Sequence, residues 1–91
     1  MITHEWRIIF VKKAQKEFQK LPKDVQGRIV DFLNDRIIPS ENPRLLAKAL
    51  TGDKGGLWRY RIGDYRIICD IQQDTVTILV LAIAHRRFVY Q

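Results

Sequence analysis

The residues with usable chemistry lie towards the end of the chain: Arg59, Arg61 and Arg66, then His85, Arg86 and Tyr90. A guanidinium stays protonated and offers a planar fork that matches phosphate, histidine titrates near neutrality, and a tyrosine hydroxyl can pass on a proton. That set suits a phosphodiester. RNA can be cut by its own 2′-hydroxyl attacking the adjacent phosphorus in line, so a protein must only position the strand, offset developing charge and move protons. The expected division gives Arg61, Arg66 and Arg86 the scissile phosphate, Arg59 the strand, and His85 and Tyr90 the protons. Arg87, Lys48 and Lys54 are further cations expected to touch RNA. Plainer readings compete at two positions: a strand-end histidine satisfied locally, and a terminal tyrosine packed on the sheet edge. No Ser-His-Asp set is apparent, His4 and His85 lie far apart, and the acids are scattered among basic residues. Neither metal nor cofactor is therefore expected.

A hairpin must hold the arginines. Gly63-Asp64 reads as a two-residue turn, because the first central position favours glycine for its positive φ, and this places Ile62 opposite Tyr65. Side chains alternate along strands, so Arg61/Arg66, Arg59/Ile68 and Leu57/Asp70 share one face while Trp58/Cys69, Tyr60/Ile67 and Ile62/Tyr65 share the other. Directly opposed arginines break a local rule within otherwise consistent patterning, which marks a site that wants an anion. If Gln73-Asp74 is the next turn, Asp70/Thr77, Ile68/Leu79 and Arg66/Leu81 pair, and the arginine face continues through Ile83 to His85. A slip of one residue would reverse that assignment.

The preceding chain supplies cover. Trp6 to Val11 reads as a strand with Trp6, Ile8 and Phe10 on one face. Lys12 to about Leu21 carries Ala14, Phe18 and Leu21 at helical spacing, and the Leu21-Pro22 step ends it. A second helix opens at Pro22 with the stripe Val25, Ile29, Phe32, Leu33, Ile37 and closes at Pro39. A helical hairpin cannot bury both stripes on itself, so both helices should lie on the apolar face of the sheet. Ser40 to Thr51 reads as a short helical turn or extended segment with Lys48 exposed, and Gly52 to Gly56 as a loop. The expected architecture is α+β: a strand, a two-helix hairpin, then three antiparallel strands, giving a four-stranded sheet whose other face is basic and open. One domain should span residues 1–91.

Sixteen Lys and Arg against ten Asp and Glu give a net charge of +6, which points to a partner rich in phosphate or carboxylate. Lys12, Lys13, Lys16, Lys20, Lys23 and Arg28 fall on the helix exteriors, as a solvated face or an RNA contact. Cys69 is the single cysteine, so no internal disulfide can form, and a small buried hydrophobe is the expected role. The N-terminal residues lack the apolar core of a signal peptide. Val76 to Ala84 is too short for a membrane span. A cytoplasmic protein with no membrane partner is the expectation.

Leu50-Thr51-Gly52, Trp58-Arg59-Tyr60-Arg61-Ile62, Gly63-Asp64-Tyr65-Arg66-Ile67 and the ending His85-Arg86-Arg87-Phe88-Val89-Tyr90, in this order of elements, resemble the RelE/ParE toxin superfamily, and within it the RelE branch. The resemblance implies a ribosome-dependent, metal-independent endoribonuclease that cuts mRNA in the decoding site and is held inactive by a RelB-like antitoxin, through which the complex would bind operator DNA. By position, Arg59 and Arg61 match the family's basic pair, Arg66 its phosphate-binding arginine, Arg86 its last-strand arginine and Tyr90 its C-terminal tyrosine. Several relatives hold lysines where this chain has Arg59 and Arg61, and arginine is a poorer base, which makes His85 the substitute. The ParE branch implies instead a DNA gyrase inhibitor without RNA chemistry, and a third reading is a non-catalytic RNA-binding module whose His85 and Tyr90 stack on bases.

Overall fold

Aromatic and β-branched residues on one side of Leu57–Ile62 (β3) and Tyr65–Gln72 (β4) build the centre of the sheet. In the computed structural model, which describes residues 5–50 and 56–86, the other strands are β1 (Arg7–Phe10), β2 (Lys48–Ala49) and β5 (Thr77–His85). The strand order is β1-β5-β4-β3-β2, with β1 parallel to β5 and the other pairs antiparallel. The sheet thus has five strands rather than four. The extra one is a two-residue edge strand that follows the 3-10 turn Pro43–Leu46.

The helices are α1 (Lys12–Gln19) and α2 (Lys23–Phe32), and α2 continues into a wider π turn, Leu33–Ile37. Gln26 ties the two together, its Nε2 donating to the carbonyls of Phe18 and Leu21 at 3.1 and 3.0 Å. These carbonyls lie at the end of α1, where helical acceptors run short of backbone donors; the Phe18 carbonyl also accepts the Leu21 N–H at 3.1 Å. The expected stripe holds: Val25, Ile29, Leu33 and Ile37 are buried with Ala14 against Tyr60, Ile67, Cys69, Ile78 and Val80. Tyr60 is fully buried, its hydroxyl donating to the Pro43 carbonyl at 2.6 Å, and Phe32 meets its ring edge-on at 5.5 Å. The helices therefore cover the aromatic face, and the arginines of β3 lie on the opposite side.

The β3/β4 register is the expected one, rung for rung from Leu57/Asp70 to Ile62/Tyr65. The β4/β5 register differs twice. The connection is Gln73–Val76 rather than Gln73-Asp74, so Gln72 pairs with Thr77 and Asp70 with Leu79. Val76 closes it with a φ of +51°, a strained conformation for a β-branched residue. Further on, Cys69 pairs with Val80 but Ile68 with Ala82, leaving Leu81 as the extra residue of a β-bulge. An extra residue inverts the alternation beyond it. The arginine face thus continues through Ala82 and Ala84, and Ile83 and His85 turn to the helix side.

Candidate phosphate-binding site

The Gly63-Asp64 turn gathers the cations. Gly63 has a φ of +58°, as the turn requires, and Arg61 faces Arg66 directly across it. Arg66 is only 3% exposed; its Nη1 donates to the Gly63 and Tyr65 carbonyls, both at 3.2 Å. Its buried Nε has no hydrogen-bond partner among the described residues, so one fork edge is held and a donor is left unmet. Arg86 is tied to the same turn: its backbone N–H donates to the Asp64 carbonyl at 2.7 Å, and its exposed Nε lies 3.7 Å from Asp64 Oδ1. Lys48 pairs with Arg59 one strand over, so these two extend the basic face towards β2.

His85 does not join the arginines. It pairs with Tyr65 on the helix side, the rings edge-on at 5.3 Å, because the Leu81 bulge reverses the facing of everything after it. It remains at the last rung, next to Arg86. Lys54, Arg87 and Tyr90 lie outside the described residues.

Arg28 is a neighbour that the sequence placed only among exterior cations. It reaches from α2 to the turn, where a Cβ added to Gly63 would stand 2.8 Å from its Nη2. The spacing of charged residues along α2 carries no sign of this contact, since it depends on how the helix crosses the hairpin. Behind the site, burial and then the charge of Asp70 push the Cys69 thiol up to about 12, and burial also raises the Tyr60 hydroxyl. Both are inert core groups at neutral pH.

A separate apolar groove of about 460 Å³ opens between β1 and the helices, lined by Ile8, Phe10, Phe18, Val30, Leu33 and Ile38 among others. No helix among the described residues is long and apolar enough to cross a membrane.

A helical hairpin laid on one face of this sheet, with a guanidinium cluster about a tight turn on the other, defines a small basic α+β domain. The chain belongs to the family of ParE toxins of type II toxin-antitoxin systems (parDE), which it matches over residues 8–90, and is a toxin of the RelE/ParE superfamily. It is similar to Toxin RelE of Mycobacterium tuberculosis, 28% identical over 97% of this chain and 89% of that one. Toxin RelG of the same organism is 26% identical over 94% and 97%. Among solved structures, the toxin-antitoxin complex RelBE2 from M. tuberculosis superposes with a TM-score of 0.79 at 24% identity, covering 90% of this chain and 92% of that one. The archaeal RelE-RelB complex from Pyrococcus horikoshii gives 0.65 at 28% identity, covering 93% and 99%.

Proposed function

We propose that this toxin is a metal-independent endoribonuclease that cuts mRNA on the ribosome, in the cytoplasm, with the face around the Gly63-Asp64 turn as its active site. The observation that carries this is the convergence of Arg61, Arg66 and Arg86 on one turn, with the buried Arg66 leaving a donor unmet among the described residues. A buried unmet donor is rare in folded proteins and calls for a role. These arginines hold the scissile phosphate, while Arg59, Lys48, Lys54 and Arg87 track the strand. The 2′-oxygen attacks phosphorus as its proton leaves to a base, the P–O5′ bond breaks, and an acid returns a proton to O5′. His85 and Tyr90 take these proton roles, His85 reaching the substrate over the rim of the sheet rather than from its face.

A RelB-like antitoxin restrains the toxin. The solved relatives include RelE-RelB complexes, and this chain offers an apolar groove beside lysine-rich helices to an acidic, amphipathic segment. Operator binding by the pair would run through the antitoxin. The family's ParE description favours a second reading, DNA gyrase inhibition without cleavage. Incubating the purified toxin with ribosomes translating a defined message separates them: new RNA ends that depend on His85, Tyr90 and the arginines support the ribonuclease. Intact message together with loss of gyrase supercoiling would reject it.

A further inference from the structure

The last rung between β1 and β5 runs from the Val11 N–H to the Val80 carbonyl, 3.0 Å. Beyond it β5 continues through Leu81 to His85 with no strand on that edge among the described residues. The bulge at Leu81 sits at this step. An edge without a partner has its outward N–H groups to satisfy, and the bulge sets the facing of every residue beyond it. A slip of one residue there would exchange the facing of His85 and Arg86.

α1 replaces the missing strand. Glu17 Oε1 accepts the Ile83 N–H at 2.8 Å, and Glu17 Oε2 receives Lys13 Nζ, one helical turn earlier, at 2.8 Å. The carboxylate is thus gripped on one oxygen by its own helix and bonded on the other to the strand two residues past the bulge. Hydrogen bonds to an ionised acceptor are stronger than neutral ones.

We propose that Glu17 is a positioning residue for the arginine site: its carboxylate pins β5 at Ile83 and thereby sets the register that carries Arg86 to the Asp64 carbonyl. This rests on the reading that Arg86 binds the scissile phosphate. Ile83 and Arg86 are three residues apart, so the anchor acts within one short segment of strand.

Two conservative variants divide the carboxylate's reach from its charge. Glu17→Asp keeps the charge and withdraws the acceptor by about 1.5 Å, one C–C bond; Glu17→Gln keeps the reach and an accepting oxygen. In the intact protein, amide hydrogen exchange at Ile83 and Arg86 should quicken by about tenfold or more in Glu17→Asp. Its single-turnover cleavage on ribosomes should fall by up to about 10²-fold at unchanged half-saturating ribosome concentration, the effect of a misplaced group rather than lost binding. Glu17→Gln, which keeps the reach but with a neutral and weaker acceptor, should restore most of both. Lys13→Ala, which leaves the Ile83 bond in place and removes only an exposed ion pair, should match wild type; Glu17→Ala, which removes the acceptor outright, serves if Glu17→Asp does not fold and is read in the same way. The proposal is overturned if the Arg86 amide is unmoved in Glu17→Asp, if Glu17→Gln is as impaired as Glu17→Asp, or if Lys13→Ala loosens Arg86. Should wild type cut no RNA, the ribonuclease reading falls while exchange at Arg86 still decides the positioning.

Discussion

Arg61 and Arg66 face each other across β3 and β4, but their surroundings differ. Arg66 is buried with two carbonyl partners, whereas Arg61 is exposed. Replacing Arg61 therefore removes a repulsion without leaving an unmet group in the interior. Directly opposed like charges cost roughly 0.2 to 1 kcal/mol. Arg61→Gln, which keeps much of the side-chain length, should return that amount, and Arg61→Glu about twice as much because repulsion becomes attraction. In a domain of this size 1 kcal/mol moves Tm by about 4 to 8 °C, so Gln should raise Tm by a few degrees and Glu by more. The gain should shrink at about 1 M salt, where the Debye length is near 3 Å. Function should move the other way. Losing a donor aimed at a phosphate that gains charge in the transition state should slow cleavage by about 10²- to 10³-fold, by analogy with oxyanion donors. The salt slope of RNA binding should fall by about 0.7 for one lost single-strand phosphate contact. Thermal melts at two ionic strengths and single-turnover assays test both arms. A lower Tm for Arg61→Gln at low salt, or a gain indifferent to salt, would refute the electrostatic reasoning; wild-type cleavage would remove Arg61 from the site.

Tyr60→Phe leaves the buried Pro43 carbonyl without its 2.6 Å donor and should destabilise by about 1 to 3 kcal/mol in denaturant titration. Val76 holds a φ of +51°, so Val76→Asn, which tolerates that region, should stabilise by about 1 kcal/mol, read from the same titration. The Cys69 thiol, pushed up to about 12, should resist thiol reagents in the native state at pH 8. Because the folded state holds that proton more tightly than an unfolded thiol near 8.5, its contribution is whole below about pH 8.5 and is lost as pH rises towards 12. Cys69→Ala should flatten that alkaline decline in urea melts, leaving the part due to Tyr60, which shifts in the same direction. Val30, exposed on the apolar groove, should matter to the antitoxin: Val30→Asp should weaken its binding at least about tenfold by calorimetry with Tm little changed.

The β3/β4 hairpin was legible because its determinants are local. Gly63 at a position needing positive φ sets the turn, the turn sets the register, and alternation then places Arg59 and Arg61 opposite Trp58 and Tyr60. The helices were legible for the same reason: the stripe from Val25 to Ile37 and the ends near Pro22 and Pro39 are periodic and short-range signals. Membership of the toxin superfamily followed from motifs spread along the chain and stood when residues 8–90 were compared.

What tertiary structure decided begins where local rules lose their hold. Gln73-Asp74 has no strong turn preference, so the longer Gln73–Val76 connection won, carrying strain at Val76 that neighbouring rungs offset. The Leu81 bulge has no signature in Val80-Leu81-Ala82, because an apolar run pairs equally well in either parity; just past it the Ile83 N–H meets an acceptor 66 positions away from it in the chain, on Glu17. With that bulge, His85 turns to Tyr65 and the Arg86 N–H reaches the Asp64 carbonyl. The sequence alone determined which residues bring guanidinium groups to the hairpin and the end of the last strand: Arg61, Arg66 and Arg86. Their gathering about one turn, Arg28 included, required the sheet to close and a helix to cross it, since contacts between elements depend on packing that no single segment encodes.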